Sequence, residues 1–316
     1  MRIIEGLDAL ADLELPPPEG SVVAVGVFDG MHLGHLRLIH DLLEMASELQ
    51  AAPTVITFAN HPDEVLSGRA PEPLISVPHR LRLMRRAGVQ RVLLLTFDSG
   101  VQAMTASYFA SEVLGSGLNT CGLLLGYDSA LGKDREGTPE RFAEIGAEKG
   151  FAVRTGLPVQ IDGAPVSSTL IRKAITSGDL DQAARLLGRR PAAYGEVVHG
   201  EHRGRSLGFP TANIHPQSQA LPPQGVYAVE ILHEGEQSVG VANLGVRPTF
   251  ADGDDDAVTL EVHFFKEDGE DLDLYGATLE VTFVKRIRGE RQFDGADELR
   301  AQIAEDVRAA RQVLGT

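Results

Sequence analysis

The feature that most constrains the fold is a ten-residue stretch, residues 26–35, which reads Gly-Val-Phe-Asp-Gly-Met-His-Leu-Gly-His. Before it, residues 21–25 form an apolar, β-branched run that is typical of a buried parallel strand. After it, apolar residues recur at helical spacing over residues 36–45. The stretch is therefore predicted to be a tight turn that leads from a strand into a helix.

The composition of this turn indicates a phosphate site. Gly26, Gly30 and Gly34 let the backbone turn sharply and approach a ligand closely. The start of the following helix presents amide N–H groups that favour an anion. His32 and His35 can lie on one side of that helix start and donate hydrogen bonds to phosphate oxygens. A purely structural turn is the alternative, and the spacing excludes both a P-loop and a dinucleotide fingerprint.

Charge and cysteine usage exclude several classes of protein. The net charge is −16 and both halves of the chain are acidic, which argues against a general nucleic-acid or anionic-membrane surface. The single cysteine, Cys121, excludes an internal disulfide and a cysteine-based zinc site, and it favours a reducing compartment such as the cytoplasm. We see no signal peptide and no apolar run of about 18 residues, so we expect no membrane span.

The pattern of elements changes near residue 187. Strands alternate with helices before it, which predicts a doubly wound parallel sheet of the α/β class. After it, short strands joined by Gly, Asp and Pro turns predict an all-β unit, a small antiparallel barrel closed by a helix over 296–314. The 316 residues suffice for two domains, and we expect them to span residues 1–186 and 187–316.

Two polar side chains follow predicted strands of the parallel sheet. His61 comes after the strand at 54–58, and Asp128 comes after the strand at 121–126. Ligands of open α/β sheets collect at this carboxyl edge, although His61 is equally compatible with a simple turn. The four arginines of the helix predicted over 79–87 are instead expected to form a solvated basic face.

A second polar motif begins at Ser167. Ser167, Ser168 or Thr169 is expected to cap a helix. Its apolar side is expected to start with Leu170, Ile171, Ala174 and Ile175. The hydroxyl groups, the helix N–H groups and Arg172 could together hold a polyphosphate. An ordinary capped helix is the alternative for this motif.

The predicted barrel contains a third polar stretch. A loop with Gly200, Arg205 and Gly208 has the composition of a phosphate loop. A Pro-Thr-Ala-Asn turn follows, in which Thr211 and Asn213 offer the hard oxygen ligands that suit Mg²⁺.

Two acidic features of the barrel have competing interpretations. Glu261 lies in the middle of a predicted strand, where a carboxylate is either a surface residue or a base that points into a site. The run at 254–256 is expected to be a solvated loop tip, with a cation site as the alternative.

Together these motifs resemble the bifunctional bacterial FAD synthetases, also called riboflavin kinase/FMN adenylyltransferases. Residues 26–35 match the first nucleotide motif of that family, and residues 167–172 resemble its second. The segments that resemble the riboflavin kinase module are 204–213, 225–227, 243–249, 273–276 and 287–290. The chain departs from the family at Ala59 and Asn60, where an acidic residue and Pro are usual, and at Ser129 and Leu131, where Phe is usual.

The resemblance implies two reactions with ATP as co-substrate and Mg²⁺ as cofactor. In the barrel, the 5′-hydroxyl of riboflavin attacks the γ-phosphate, with Glu261 as general base and with Thr211 and Asn213 at the metal. In the nucleotidyltransferase-like domain, the phosphate of FMN attacks the α-phosphate of a second ATP to give FAD and pyrophosphate. His32, His35 and Arg172 are then expected to stabilise the charge that develops.

The resemblance also implies the binding residues and partners. The expected flavin-binding residues are His61, Asp128 and Arg288. The residues expected to bind ATP or its phosphates are Gly26, Phe28, Asp29, Gly30, Gly34, Ser167, Ser168, Thr169, Gly200, Arg205 and Gly208. The expected partners are riboflavin, FMN, FAD and ATP, with no nucleic acid and no membrane, and the oligomeric state is left open. Two alternatives remain, a nucleotidyltransferase of another substrate fused to an unrelated barrel and a flavin-binding protein without turnover.

Overall fold

The computed structural model describes residues 1–11, 20–199, 208–217, 219–247, 257–265 and 274–316. These residues form two compact units, the first from 1–73 and 77–168 and the second from 74–76 and 169–316. The domain boundary expected between residues 186 and 187 stays a prediction. It is tested by whether a fragment that begins at residue 187 folds by itself. Within the described ranges, no helix combines the length and the hydropathy needed to cross a membrane.

The first unit is built on a parallel sheet, as the alternation of strands and helices predicts. Its strands are β1 (Arg2–Glu5), β2 (Ser21–Val25), β3 (Ala52–Phe58), β4 (Arg91–Leu95), β5 (Thr120–Gly126) and β6 (Ala152–Gly156). They lie in the order β1-β4-β3-β2-β5-β6, and every neighbouring pair is parallel. A small hairpin of β7 (Gln160–Ile161) and β8 (Ala164–Pro165) follows.

Helices cover this sheet and bury its apolar side chains. They are α1 (Asp8–Ala11), α2 (Leu33–Glu48), α3 (Pro62–Leu66), α4 (Val77–Arg86), α5 (Ser99–Ala103), α6 (Ala106–Tyr108) and α7 (Pro139–Lys149). A π-helical segment, Phe109–Gly117, continues α6. All residues of β2 and β3 are buried, as expected for central parallel strands covered on both faces.

The strand order defines where a ligand can bind. From β2 the chain continues through β3 and β4 on one side, whereas β5 and β6 lie on the other side of β2. The carboxyl ends of β2 and β5 therefore flank the switch point of the sheet. Open α/β sheets bind their ligands in the crevice at such a point.

The second unit is a closed antiparallel barrel, and the predicted barrel is confirmed. Its strands are β9 (Ala192–Val198), β10 (Ala212–Pro216), β11 (Gly225–His233), β12 (Glu236–Arg247), β13 (Ala257–Phe264) and β14 (Thr278–Arg288). They follow the order β10-β13-β12-β11-β14-β9, and the pairing of β9 with β10 closes the barrel. The helices α8 (Ser168–Ser177) and α9 (Leu180–Leu187) precede the barrel, and α10 (Ala296–Leu314) follows it.

Two local predictions were wrong. The expected Pro-Thr-Ala-Asn turn is the start of β10, which begins at Ala212 because β9 and β13 pair with it on both sides. Leu170 was expected on the apolar side of its helix, but it is 42% exposed. The other three residues predicted on that side, Ile171, Ala174 and Ile175, are buried as expected.

Candidate active sites

The turn after β2 has a backbone that ordinary residues avoid. Phe28 and Met31 have φ angles of 55° and 44°, in the left-handed region, and Gly30 between them has a φ of 80°. For residues with a side chain this conformation costs roughly 1–2 kcal/mol each. Phe28 and Met31 are also fully buried, so packing of the surrounding core holds the turn in this shape.

His32 and His35 form a stacked pair at the end of the turn. The centroids of their rings are 3.6 Å apart and the ring planes differ by 16°. His32 caps α2, because its Nδ1 atom accepts the backbone N–H of His35 at 3.3 Å. In the neutral imidazole the proton then resides on Nε2, which makes that atom a donor. Gly34 leaves room for this ring, since a Cβ atom at this position would lie 3.1 Å from Cε1 of His32 and the ring would have to shift slightly.

One hydrogen bond joins the start of the second polar motif, residues 167–172, to the first motif, residues 26–35. Ser168, the first residue of α8, donates its hydroxyl to the backbone carbonyl of Asp29 at 3.0 Å. Asp29 itself is buried in the turn, with 5% of its surface exposed. Ser167 precedes this helix start, and Arg172 is half-buried one turn further along α8.

His61 and Asp128 both lie at the carboxyl edge of the sheet. His61 caps α3 by accepting the backbone N–H of Asp63 on Nδ1, and 24% of its side chain is exposed. Asp128 is exposed just beyond β5, next to the half-exposed Tyr127. Partial burial, together with the Asp128 carboxylate, raises the pKa of the Tyr127 hydroxyl.

The positions that depart from the family make backbone contacts of their own. The side chain of Asn60 donates to the carbonyl of Phe97 at 2.9 Å and accepts the N–H of Phe97 at 2.7 Å. It thereby joins the end of β3 to the segment after β4. Leu131 exchanges two backbone hydrogen bonds with Gly137, and its side chain packs against the core of the first unit.

Arg80 is a buried contact of the first turn that the sequence interpretation missed. The arginines of α4 were expected to form a solvated face, but Arg80 is only 5% exposed. Its guanidinium donates through Nη1 to the carbonyl of Val27 at 2.7 Å and through Nη2 to the carbonyl of Phe58. A signal was present, because Arg80 precedes the buried Leu83 and Met84 by three and four residues and so shares their helix face.

In the barrel, Glu261 has polar partners on both neighbouring strands. It is directly opposite Asn213 on β10 and Asn243 on β12. Residues that are directly opposite in antiparallel strands project from the same face. The chain neighbours of Glu261, Leu260 and Val262, are fully buried in the barrel core. The three polar side chains therefore share the outer face of the barrel.

The chain segment before β10 is held against this face. The carbonyl of Pro210 lies 2.9 Å from Nδ1 of His263, and the ring of Phe209 meets the His263 ring edge-on at 5.4 Å. Thr211 follows and is half-buried. His263 was not predicted as a site residue, although the alternation of β13 places it on the same face as Glu261.

Arg288 contacts the closing helix. Its Nε and Nη2 atoms donate to the carboxylate of Asp306 on α10, at 2.9 and 2.8 Å. Asp306 is 4% exposed, so this paired contact is largely shielded from water. It ties α10 to the barrel, and the flavin-binding role expected for Arg288 stays a prediction.

The expected phosphate loop is described only at its end. Gly208 is described and has a φ of 87°, which suits glycine. Gly200, Arg205 and the acidic run at 254–256 lie outside the described residues. Their expected roles therefore stay predictions.

The comparisons with known proteins match both halves of the chain. The family model described as FAD synthetase matches residues 15–170, and the one described as riboflavin kinase matches residues 187–314. The curated bifunctional riboflavin kinase/FMN adenylyltransferase of Escherichia coli (strain K12) is 38% identical over 317 residues, which cover 100% of this chain and 98% of that protein. The protein of the same name from Bacillus subtilis (strain 168) is 35% identical, over 92% of this chain and 91% of its own.

A solved structure matches the fold over nearly the whole chain. It is the crystal structure described as a macrolide-efflux protein from Streptococcus pneumoniae, with a TM-score of 0.83 and 30% sequence identity. The match covers 98% of this chain and 99% of that one. Both compact units therefore have a counterpart in one experimentally solved chain.

Proposed function

Since the chain belongs to the family of bifunctional riboflavin kinase/FMN adenylyltransferases, we propose that its two reactions take place at the two sites described above. The enzyme phosphorylates riboflavin to FMN and then adenylylates FMN to FAD, with ATP as co-substrate of both steps. The observation that supports the assignment is that each unit has its own cluster of polar side chains. These are the stacked pair of His32 and His35 in one unit and the facing pair of Asn213 and Glu261 in the other.

In adenylyl transfer, a phosphate oxygen of FMN forms a bond to the α-phosphorus of ATP. The bond from that phosphorus to the bridging oxygen breaks and pyrophosphate leaves, so no proton needs to move. The demand on the protein is to stabilise negative charge as it develops. His32 offers its Nε2–H as a donor, and the stacked ring of His35 adds a second imidazole beside it.

The position of the first site supports this reaction. The turn at 26–31 and Asp128 lie at the carboxyl ends of β2 and β5, which flank the switch point of the sheet. The start of α2, with Gly34, presents backbone N–H groups that suit the phosphates of ATP. We therefore propose that the turn holds ATP and that His61 and Asp128 contact the flavin nucleotide.

In the kinase reaction, the 5′-hydroxyl oxygen of riboflavin forms a bond to the γ-phosphorus of ATP. ADP leaves, and the hydroxyl proton passes to the carboxylate of Glu261. Glu261 is half-buried on the outer face of the barrel, so it is accessible to a substrate while its strand holds it in place.

We propose that Mg²⁺ binds beside this base. The Thr211 hydroxyl and the Asn213 amide oxygen are hard ligands, and Thr211 directly precedes β10, two positions before Asn213. Both are half-buried, and Asn213 is directly opposite Glu261, which fits a cation held between protein and phosphates. A bound Mg²⁺ neutralises phosphate charge during phosphoryl transfer.

We propose that the enzyme works in the cytoplasm, where ATP is available for both steps. Cys121 is the only cysteine, and burial raises the pKa of its thiol, so it stays a protonated thiol at neutral pH. Cell fractionation followed by an FMN adenylylation assay tests this location.

The function is tested by giving purified protein riboflavin and Mg-ATP and separating the flavins by chromatography. We expect FMN and FAD. Riboflavin that is bound but unchanged would identify a flavin-binding protein instead. FMN without FAD, even when FMN is supplied, would remove the role proposed for the first unit.

A further inference from the structure

Arg80 joins the ends of two neighbouring strands, at the base of the turn that leads to His32 and His35. Val27 directly follows Gly26 at the end of β2, and Phe58 is the last residue of β3, which runs parallel to β2. One guanidinium donates to the carbonyls of both residues, through its two terminal nitrogens. The Thr57 hydroxyl also donates to the Val27 carbonyl, at 3.0 Å.

This guanidinium is charged and almost completely removed from water. Burial lowers the pKa of Arg80 to about 10, an effect that the Asp29 carboxylate opposes, so the side chain remains protonated at neutral pH. Among the described residues its Nε atom has no hydrogen-bond partner. Burying a charged group that is not completely hydrogen-bonded costs free energy. An apolar side chain would avoid that cost, which argues against a role in packing alone.

The contact of Arg80 lies next to the residues of the turn that have left-handed backbone conformations. The left-handed residues Phe28 and Met31 persist only if the surrounding structure holds them. Arg80 holds the first residue of this segment, and the hydroxyl of Ser168 holds its middle at the carbonyl of Asp29.

We propose that Arg80 is a positioning residue for adenylyl transfer. Its forked contact fixes the turn at 27–31, and the turn in turn fixes the place of the stacked rings of His32 and His35. Small displacements of such groups reduce the rate of the chemical step more than they reduce substrate binding. This inference rests on the charge-stabilising role proposed for the two histidines.

The test uses the full chain with Arg80→Met, which removes the fork and the charge, and Arg80→Lys, which keeps only the charge. Arg85→Met is the matched control, because Arg85 is exposed on the same helix. We expect Arg80→Met to lower kcat for FAD formation from FMN by about 10²-fold with little change in KM. Arg80→Lys should recover part of this loss. Riboflavin phosphorylation by the same samples should be unchanged. The folded fraction of each variant is measured separately by circular dichroism and thermal unfolding, because the kinase reaction takes place in the other unit.

The inference is overturned if kcat of Arg80→Met equals that of Arg85→Met. It is also overturned if kcat for FAD formation by Arg80→Met falls only in proportion to the folded fraction measured by circular dichroism. Should Arg80→Met not fold, Arg80→Lys decides, because either wild-type kcat or failure to fold in that variant contradicts a positioning role. If the unaltered enzyme forms no FAD from FMN, the proposed function itself is wrong, and that result is distinct from all the others.

Discussion

Glu261 and Asn213 are direct partners across the antiparallel strands β13 and β10. Both side chains project from the outer face of the barrel, where Thr211 precedes Asn213 by two residues. The carboxylate proposed as the base is therefore adjacent to the Asn213 side chain, which is one of the two proposed metal ligands. Phosphoryl transfer to a hydroxyl requires a base close to the metal-bound phosphate, because the attacking oxygen must lie beside the phosphate and its proton must have an acceptor.

We predict that Glu261→Gln separates the two activities. Glutamine keeps the size of the side chain but cannot accept a proton near neutral pH, so riboflavin phosphorylation should fall by roughly 10²–10⁴-fold. FAD formation from supplied FMN should hardly change, because that nucleophile is already an anion. The measurement is the rate of FMN formation from riboflavin and of FAD formation from FMN.

The control for this variant is Glu230→Gln, which makes the same change at an exposed position of β11. It should leave both rates at the wild-type level. Our assignment of Glu261 would be wrong if Glu261→Gln kept full kinase activity or if it also abolished FAD formation from FMN.

The parts of the fold that follow from local pattern could be predicted from the sequence. The apolar run at 21–25 and the helical spacing after His35 determine the strand and the helix on either side of the first turn, so the turn could be located. The change of pattern near residue 187 likewise indicated the barrel. These signals are local, because each depends only on the alternation of apolar and polar residues within one element.

Contacts between elements distant in sequence could not be predicted in this way. Arg80 reaches the carbonyls of Val27 and Phe58, which are 53 and 22 residues away in the chain. The prediction of a basic solvated face followed the average behaviour of arginine and not the position of Arg80 on its helix. Asn213 was expected in a turn because Pro-Thr-Ala-Asn has turn composition, whereas pairing with β9 and β13 makes it part of a strand.

We predict that His35→Ala has the opposite effect to Glu261→Gln. It removes an imidazole next to the charge that develops in adenylyl transfer, so FAD formation from FMN should fall by roughly 10²–10³-fold. Riboflavin phosphorylation should be unchanged. His40→Ala is the matched control, because His40 lies on the same helix with 64% of its side chain exposed. Equal losses in His35→Ala and His40→Ala would contradict the assignment.

The metal ligands can be tested by titrating Mg²⁺ at saturating ATP and riboflavin. Thr211→Val keeps the shape of the side chain and removes one oxygen ligand, so the Mg²⁺ concentration at half-maximal kinase rate should rise. The concentration needed for FAD formation should stay the same. Thr282→Val provides the control, since Thr282 is a half-buried threonine on β14. An unchanged Mg²⁺ dependence in Thr211→Val would exclude the hydroxyl as a ligand.

The proposed boundary at residue 187 is tested with two fragments, residues 187–316 and residues 169–316. We predict that both fold and phosphorylate riboflavin, because the barrel with its core and Glu261 lies within the shorter one. The longer fragment should unfold at a temperature several degrees higher, since Leu180 of α9 is 6% exposed and belongs to the core cluster of the barrel. Burial of one leucine contributes roughly 1.5–3 kcal/mol. Thermal unfolding measures folding and the difference in stability, and the kinase assay measures the activity.

Equal unfolding temperatures of the two fragments would show that α9 adds no stability. An inactive 187–316 fragment beside an active 169–316 fragment would move the boundary to a point before α9.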